Sequence, residues 1–278
     1  MNPDRVAGIG ATPVTPSSMK IATWNINGIK ARIDAATTWL KSAAPDIACF
    51  QEIKCVDEAF PREPFEELGY NVAVHGQKGF NGVALLSKLP FDEVHPRLAG
   101  DRDDVQARYL EAVISVPSGA LRLINIYLPN GNPFGTEKFV YKLAWMTRLK
   151  ERVKALLANE ETMVIAGDFN VIPAPEDVYN PSVWMDDALF RPETRAHFQT
   201  LLNLGLTDAF RACHDEPHRY TFWDYQAGAY QKNQGLRIDH VLLSPQAADR
   251  LQACEIDADP RSWEKPSDHV PIVAELAL

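Results

Sequence analysis

The chain repeatedly builds an apolar run and ends it on an acid or an amide, and this habit constrains the fold more than any other feature. Met163-Val164-Ile165-Ala166 reads as a strand buried on both faces, and it stops at Gly167-Asp168-Phe169-Asn170, whose polar members cannot stay inside such a strand. The run from Asp46 to Phe50 does the same before Gln51-Glu52, Ile21 to Trp24 before Asn25-Ile26-Asn27-Gly28, and Leu121 to Tyr127 before Leu128-Pro129-Asn130-Gly131. Each such element delivers polar groups to a sheet edge, where open α/β sheets collect ligands. Taken alone, Gly-Asp-x-Asn or Asn-Gly is a turn signal, because these residues tolerate left-handed backbone. The recurrence is what favours a shared site.

Between these runs the pattern predicts hairpins, Tyr70 to His75 with Gly82 to Ser87 and Tyr109 to Val116 with Leu121 to Leu128. Helices are expected near 31–43, 58–68, 136–158 and 193–204. The third is the clearest, with Phe139, Leu143, Met146, Leu149, Val153 and Leu156 spaced by three or four. Strands follow at 237–243, 251–256 as an edge, and 270–276. Many hairpins and few helices predict an α/β sandwich of mixed sheets over a doubly wound parallel sheet. The 278 residues suffice for one large domain, expected over 19–278, behind a Pro-, Gly- and Ser-containing leader at 1–18 that has no periodicity and is expected to be disordered.

A formal charge of −9 argues, on its face, against a polyanionic partner. That argument weakens if the acids are gathered around a divalent cation, which reverses the local charge logic. The four cysteines, Cys49, Cys55, Cys213 and Cys254, have no Cys-x-x-Cys spacing and read as reduced thiols. No apolar run is long enough to cross a bilayer and the N-terminus lacks a secretory pattern, so a cytoplasmic location is expected. A monomer is expected by default, with no feature of the sequence behind it.

Two further pieces sit in the last third. Gly235-Leu236-Arg237-Ile238-Asp239 places Asp239 in an otherwise apolar strand, where an unpaired carboxylate is costly, and Ser267-Asp268-His269 puts an acid beside a histidine just before the last strand. Asn25, Glu52, Asp168, Asn170, Asp239, Asp268 and His269 form an oxygen-rich set with one imidazole, suited to Mg2+ or Mn2+ and unlike a structural zinc site. No phosphate-binding Gly-x-x-x-x-Gly-Lys motif or dinucleotide fingerprint is present. Hydrolysis of a phosphate ester fits this set.

In order along the chain, Trp24-Asn25-Ile26-Asn27-Gly28, Gln51-Glu52, Gly76-Gln77-Lys78-Gly79, Gly82-Val83-Ala84-Leu85-Leu86-Ser87, Gly167-Asp168-Phe169-Asn170, Tyr220-Thr221-Phe222-Trp223-Asp224-Tyr225, Gly235-Leu236-Arg237-Ile238-Asp239 and Ser267-Asp268-His269 resemble the exonuclease III family of DNA-repair nucleases. The Glu, the Gly-Asp-x-Asn and the Ser-Asp-His are shared with the wider superfamily of phosphatases and phosphodiesterases. The Gly-Gln-Lys-Gly, Tyr-Thr-Phe-Trp-Asp-Tyr and Gly-Leu-Arg-Ile-Asp motifs point to the DNA-repair branch.

The resemblance implies a four-layer α/β sandwich of two mixed sheets with helices outside. It implies a metal-dependent nuclease on double-stranded DNA that cleaves 5′ to abasic sites, with 3′-to-5′ exonuclease and 3′-end-cleaning activity. By similarity Glu52, Asn25 and Asp268 would hold the metal, while Asp168 would activate or position water. Asp239 would orient His269, Asn170 and Asn130 would hold the phosphate, and Tyr127 would contact it or assist the leaving group. Phe222, Leu236 and Ile238 would line a pocket for a baseless sugar. Arg108, Lys78, Lys138 and Lys232 would meet phosphates, and each is equally a candidate for a solvated surface charge. A phosphatase acting on a lipid or small ester remains the alternative from the same superfamily, and a binding protein without catalysis the third.

Overall fold

A computed structural model describes residues 18–278. The expected leader lies outside that range except for Ser18, which opens the first strand and pairs with Ala277. The strands are β1 (Ser18–Asn25), β2 (Ile47–Gln51), β3 (Asn71–His75), β4 (Val83–Ser87), β5 (Glu93–Pro96), β6 (Tyr109–Val116), β7 (Gly119–Tyr127), β8 (Thr162–Asp168), β9 (Thr207–Asp208), β10 (Asp239–Leu243), β11 (Leu251–Ile256) and β12 (Ile272–Ala277). The helices are α1 (Ile33–Ala43), α2 (Glu63–Glu66), α3 (Glu137–Leu157), α4 (Pro181–Trp184), α5 (Pro192–Asn203), α6 (Ala209–Cys213) and α7 (Pro245–Ala248).

Two six-stranded sheets result, ordered β11-β12-β1-β2-β4-β3 and β5-β6-β7-β8-β10-β9. At the middle of each lies one parallel pair, β1 with β2 and β7 with β8, flanked by antiparallel neighbours. A parallel pair needs a crossover, and α1 and α3 supply the two. Side chains alternate between layers as the pleat requires. In β8, Val164 and Ala166 join the core between the sheets, while Met163 and Ile165 face the layer that includes Leu149 of α3 and Phe198 of α5. In β1, Ile21 points between the sheets, and Ala22 and Trp24 pack with Trp39 of α1. The order is therefore helix, sheet, sheet, helix, the four-layer sandwich expected.

Differences from the sequence-based expectations have local causes. The helix expected at 58–68 is broken into a 3-10 turn (Asp57–Ala59) and the single turn α2, because Pro61 and Pro64 withdraw backbone donors. Strand β10 starts at Asp239, two residues late, since Arg237 N donates instead to Asp177 O. Strand β12 starts at Ile272 because Pro271 has no donor for a ladder. Strand β5 has four exposed residues and offers no alternation to read.

Gly167 shows why the central motif carries a glycine. It lies in β8 so close to β7 that a Cβ there would stand 2.0 Å from Ile126 O, against rigid backbone. Gly167→Ala should therefore lower unfolding stability by about 3 kcal/mol, measured as a fall in the urea midpoint. An unchanged midpoint would show that the two strands part freely.

Candidate active site

The C-terminal ends of both parallel pairs open at the same end of the sandwich. In register, Asn25 lies beside Gln51, Tyr127 beside Asp168, and Asp239 of β10 opposite Asp168. A buried polar seam joins the sheets just below. Gln51 Nε2 donates to Thr23 Oγ1 (2.9 Å) and Asn125 Oδ1 (2.8 Å), and Asn125 Nδ2 donates to Phe50 O (3.0 Å) and Ala84 O (2.8 Å). Since Asn125 belongs to β7 and the others to β1, β2 and β4, these bonds hold the strand ends of one sheet against those of the other.

Above the seam, Asn25 Nδ2 donates to Glu52 Oε1 (2.9 Å) and to Asp168 Oδ2 (2.9 Å), linking two carboxylates through one amide. His269 Nδ1 meets Asp239 Oδ2 at 2.8 Å, its Nε2 lies 3.7 Å from Asp168 Oδ2, and Thr221 Oγ1 donates to Asp239 Oδ2 (2.6 Å). The histidine loop is anchored to β1, with Ser267 Oγ donating to Asn25 O (2.6 Å) and Trp24 Nε1 to His269 O (3.0 Å). Glu52 and Asn170 are left-handed, at φ 52° and 47°, which turns their side chains back into the site as the strands end.

Burial dominates the electrostatics. It lifts the Asp168 carboxyl well above the usual range, and Asp239 and Glu52 add to the rise while His269 and the Asn25 bond oppose it. Burial alone would lower His269, but Asp239 and Asp168 outweigh it and hold the imidazole charged. For Glu52 burial is likewise outweighed, by Asn25, Lys54 and His269, and its carboxyl sits below the ordinary value. Burial and the neighbouring acids push the Tyr127 phenol well up, so it keeps its proton.

These groups line a cavity of about 290 Å³. Its lining is polar at Glu52, Tyr127, Asn130, Asn132, Asp168, Asn170, Asp187, Asp224, Asp268 and His269, and apolar or aromatic at Trp184, Leu189, Phe222, Leu236 and Ile238, with the Phe222 ring 5.0 Å from that of His269. Asn25 and Asp239 are fully buried and do not line it. Among the described residues, Glu52, Asp168 and His269 present ligand atoms within 4.8 Å of one another. Hard oxygen donors gathered where carboxylates outnumber cations suit a divalent cation.

Arg108 and Lys138 line a neighbouring cavity of about 440 Å³ that shares Asn130 and Asn132 with the first. The Arg108 guanidinium lies 4.9 Å from the Tyr127 ring centroid. Lys78 and Lys232 are exposed and line neither cavity, and Lys232 Nζ donates to Ala227 O. Trp223 is buried in the core while its neighbour Phe222 faces the cavity. Sequence reasoning missed Asn132, Trp184, Asp187 and Leu189, which come from segments without periodicity. Asn132 Nδ2 donates to both oxygens of Asp187 (3.1 and 3.2 Å), a link that no spacing foretells.

Two mixed sheets face to face, with carboxylates, amides and an imidazole converging at one end, define a hydrolase of phosphate esters. The model of the endonuclease/exonuclease/phosphatase family matches residues 22–269. Exodeoxyribonuclease III of Haemophilus influenzae is 37% identical over 266 residues, covering 93% of this chain and all of that protein. Among solved structures, an AP endonuclease from Archaeoglobus fulgidus superposes with a TM-score of 0.88 at 36% identity, over 94% of this chain and 100% of that one. An Asp-to-Asn variant of the Neisseria 3′ phosphatase NExo, bound to a product DNA hairpin, gives 0.90 at 38%, again over 94% and 100%. The chain belongs to the endonuclease/exonuclease/phosphatase family, within its exonuclease III branch.

The Asp239 carboxylate is the strongest influence raising His269. In Asp239→Asn the imidazole should therefore release its proton at a pH lower by about 1–3 units, followed by NMR titration of the ring nitrogens. An unshifted titration would show that Asp239 does not hold the charge.

Proposed function

We propose that the chain is a divalent-metal-dependent DNA-repair nuclease that hydrolyses the phosphodiester 5′ to an abasic site in duplex DNA. It also acts as a 3′-to-5′ exonuclease and clears blocked 3′ ends. The observation that carries this reading is a single cavity lined by Glu52, Asp168 and His269, the last backed by Asp239, together with the apolar side chains of Phe222, Leu236 and Ile238.

Glu52, supported by Asn25 and together with Asp268, would hold Mg2+, or Mn2+ in its place, and the bound cation would supply positive charge to the phosphoryl oxygens. Asp168, with its raised proton affinity, accepts the proton of the attacking water near neutral pH. Asp239 fixes the orientation and charge of His269, whose Nε2–H faces Asp168 and the cavity and donates to a phosphoryl oxygen. Asn130 and Asn170 hold the phosphate through their amides, and protonated Tyr127 donates to the phosphate or to the departing oxygen.

Phe222, Leu236 and Ile238 support a preference for a missing base: a baseless sugar buries carbon against them, whereas the hydrogen-bonding edge of a base would find no partner on these three side chains. Arg108 and Lys138 in the adjoining cavity are placed for the backbone of the flanking nucleotides. We propose that the protein acts as a monomer. Among the described residues no helix is long and apolar enough to cross a membrane.

A duplex carrying a single tetrahydrofuran abasic analogue tests the proposal. The purified protein with Mg2+ should nick it 5′ to the lesion, EDTA should abolish nicking, and Asp168→Asn should lower kcat by roughly 10²- to 10⁴-fold. An intact strand after incubation with Mg2+ or Mn2+ would overturn it.

A further inference from the structure

Lys142 lies among the apolar positions of α3, where a helical pattern predicts a solvated cation, yet it is 0% exposed. Its Nζ donates to Asn130 O (3.0 Å) and to Asn170 O (2.5 Å). Those residues follow different strands, β7 and β8, and both face the site cavity, where Asn130 Nδ2 also donates to Asn170 Oδ1 (3.2 Å). Room for the lysine is made on purpose. Gly131 sits at φ +87°, and a Cβ there would stand 2.6 Å from Lys142 Cδ.

An ammonium in this position is expensive. Burial pushes Lys142 down to about 7, and Asp168 and Asp187 are the charged groups that pull it back up. A methionine would fill the same space without desolvating a charge, and apolar substitution of buried charges is often neutral or stabilising. The value of the ammonium therefore lies in the two carbonyls it joins.

We propose that Lys142 is a positioning residue of the hydrolysis: from beneath the cavity floor its ammonium clamps the main chain of Asn130 to that of Asn170 and so sets the spacing of the two amides that hold the phosphate. The inference rests on the assignment of this cavity to phosphodiester cleavage. A single atom spans both loops, so losing it frees the amides to drift apart, and a displacement on the order of 1 Å at a reacting group costs about 10²-fold in rate. Recognition of the duplex over its wider surface does not depend on it.

The test is a mutant cycle on the abasic-analogue duplex. Lys142→Met is made in the wild-type chain and in Asn130→Ala/Asn170→Ala, with melting temperature, kcat and KM recorded and wild type run in parallel. In the wild-type background the expected result is a melting temperature unchanged to within about 5 °C, kcat lower by about 10²-fold and KM within about threefold. In the double-alanine background the same substitution should change kcat by less than about threefold, because the clamped carbonyls remain but the side-chain amides whose spacing they set are gone. If the methionine chain does not fold, Lys142→Gln, which keeps a donor without the charge, goes through the same cycle with the same criteria. A kcat near that of wild type, or equal losses in both backgrounds, would overturn the role given to Lys142. Absence of cleavage by wild type itself would instead overturn the nuclease assignment.

Discussion

Everything at the active end depends on a charged imidazole held between two buried carboxylates. Asp168 and Asp239 stand opposite each other in neighbouring strands of one sheet, and both are almost wholly buried, Asp168 meeting solvent only at the cavity. Two such groups repel strongly in a dry interior unless one takes up a proton or a cation intervenes. His269 is that cation, and it arrives from the other sheet, on the loop leading into β12. Its loop is pinned to β1 by Ser267 and Trp24, while the Gln51–Asn125 seam keeps the strand ends level. Sheet packing and charge balance are thus one problem with a common solution.

Much of this was legible because it lies where apolar runs stop. Asn25, Glu52 and Asp168 were visible as polar residues at strand ends, and Asp239 as a carboxylate in a setting that demanded a partner. The structure gives that partner as His269, from a loop thirty residues away. The rest was hidden for physical reasons. Asn132, Trp184 and Asp187 reach the cavity from irregular chain whose path is set by tertiary contacts, so no period marks them. Lys142 looked like an ordinary helix-surface cation because pattern reasoning assigns lysine to water by default. The basic residues divided according to neighbours that sequence does not show: Arg108 and Lys138 border the site, whereas Lys78 and Lys232 stand apart from both cavities.

A net charge of −9 sits uneasily with a polyanionic substrate until the charges are placed. The interior ion pairs, Asp177 and Asp208 with Arg237 and Glu111 with Arg122 and Arg152, take up as much positive charge as negative and leave that total unchanged, so the placement of the remaining charges is what matters. The Arg237 network has a direct bearing on the site. Leu236 and Ile238 flank Arg237 in the segment leading into β10, so anchoring the guanidinium on one side presents the two apolar side chains to the cavity on the other. What reaches the substrate is therefore a local field and a shaped wall, which total charge does not describe.

The pairing of β1 with β12 carries a consequence for how the molecule comes into being. The first strand, which bears Asn25, closes its sheet only against residues 272–277, and the imidazole that balances the site sits at position 269. Until residue 269 has been added and folded back, Asp168 and Asp239 have no imidazole between them. Long-range closure of this kind slows folding. A polypeptide that stopped short of residue 269 would carry both acids without the cation that balances them, and the first strand without its antiparallel neighbour.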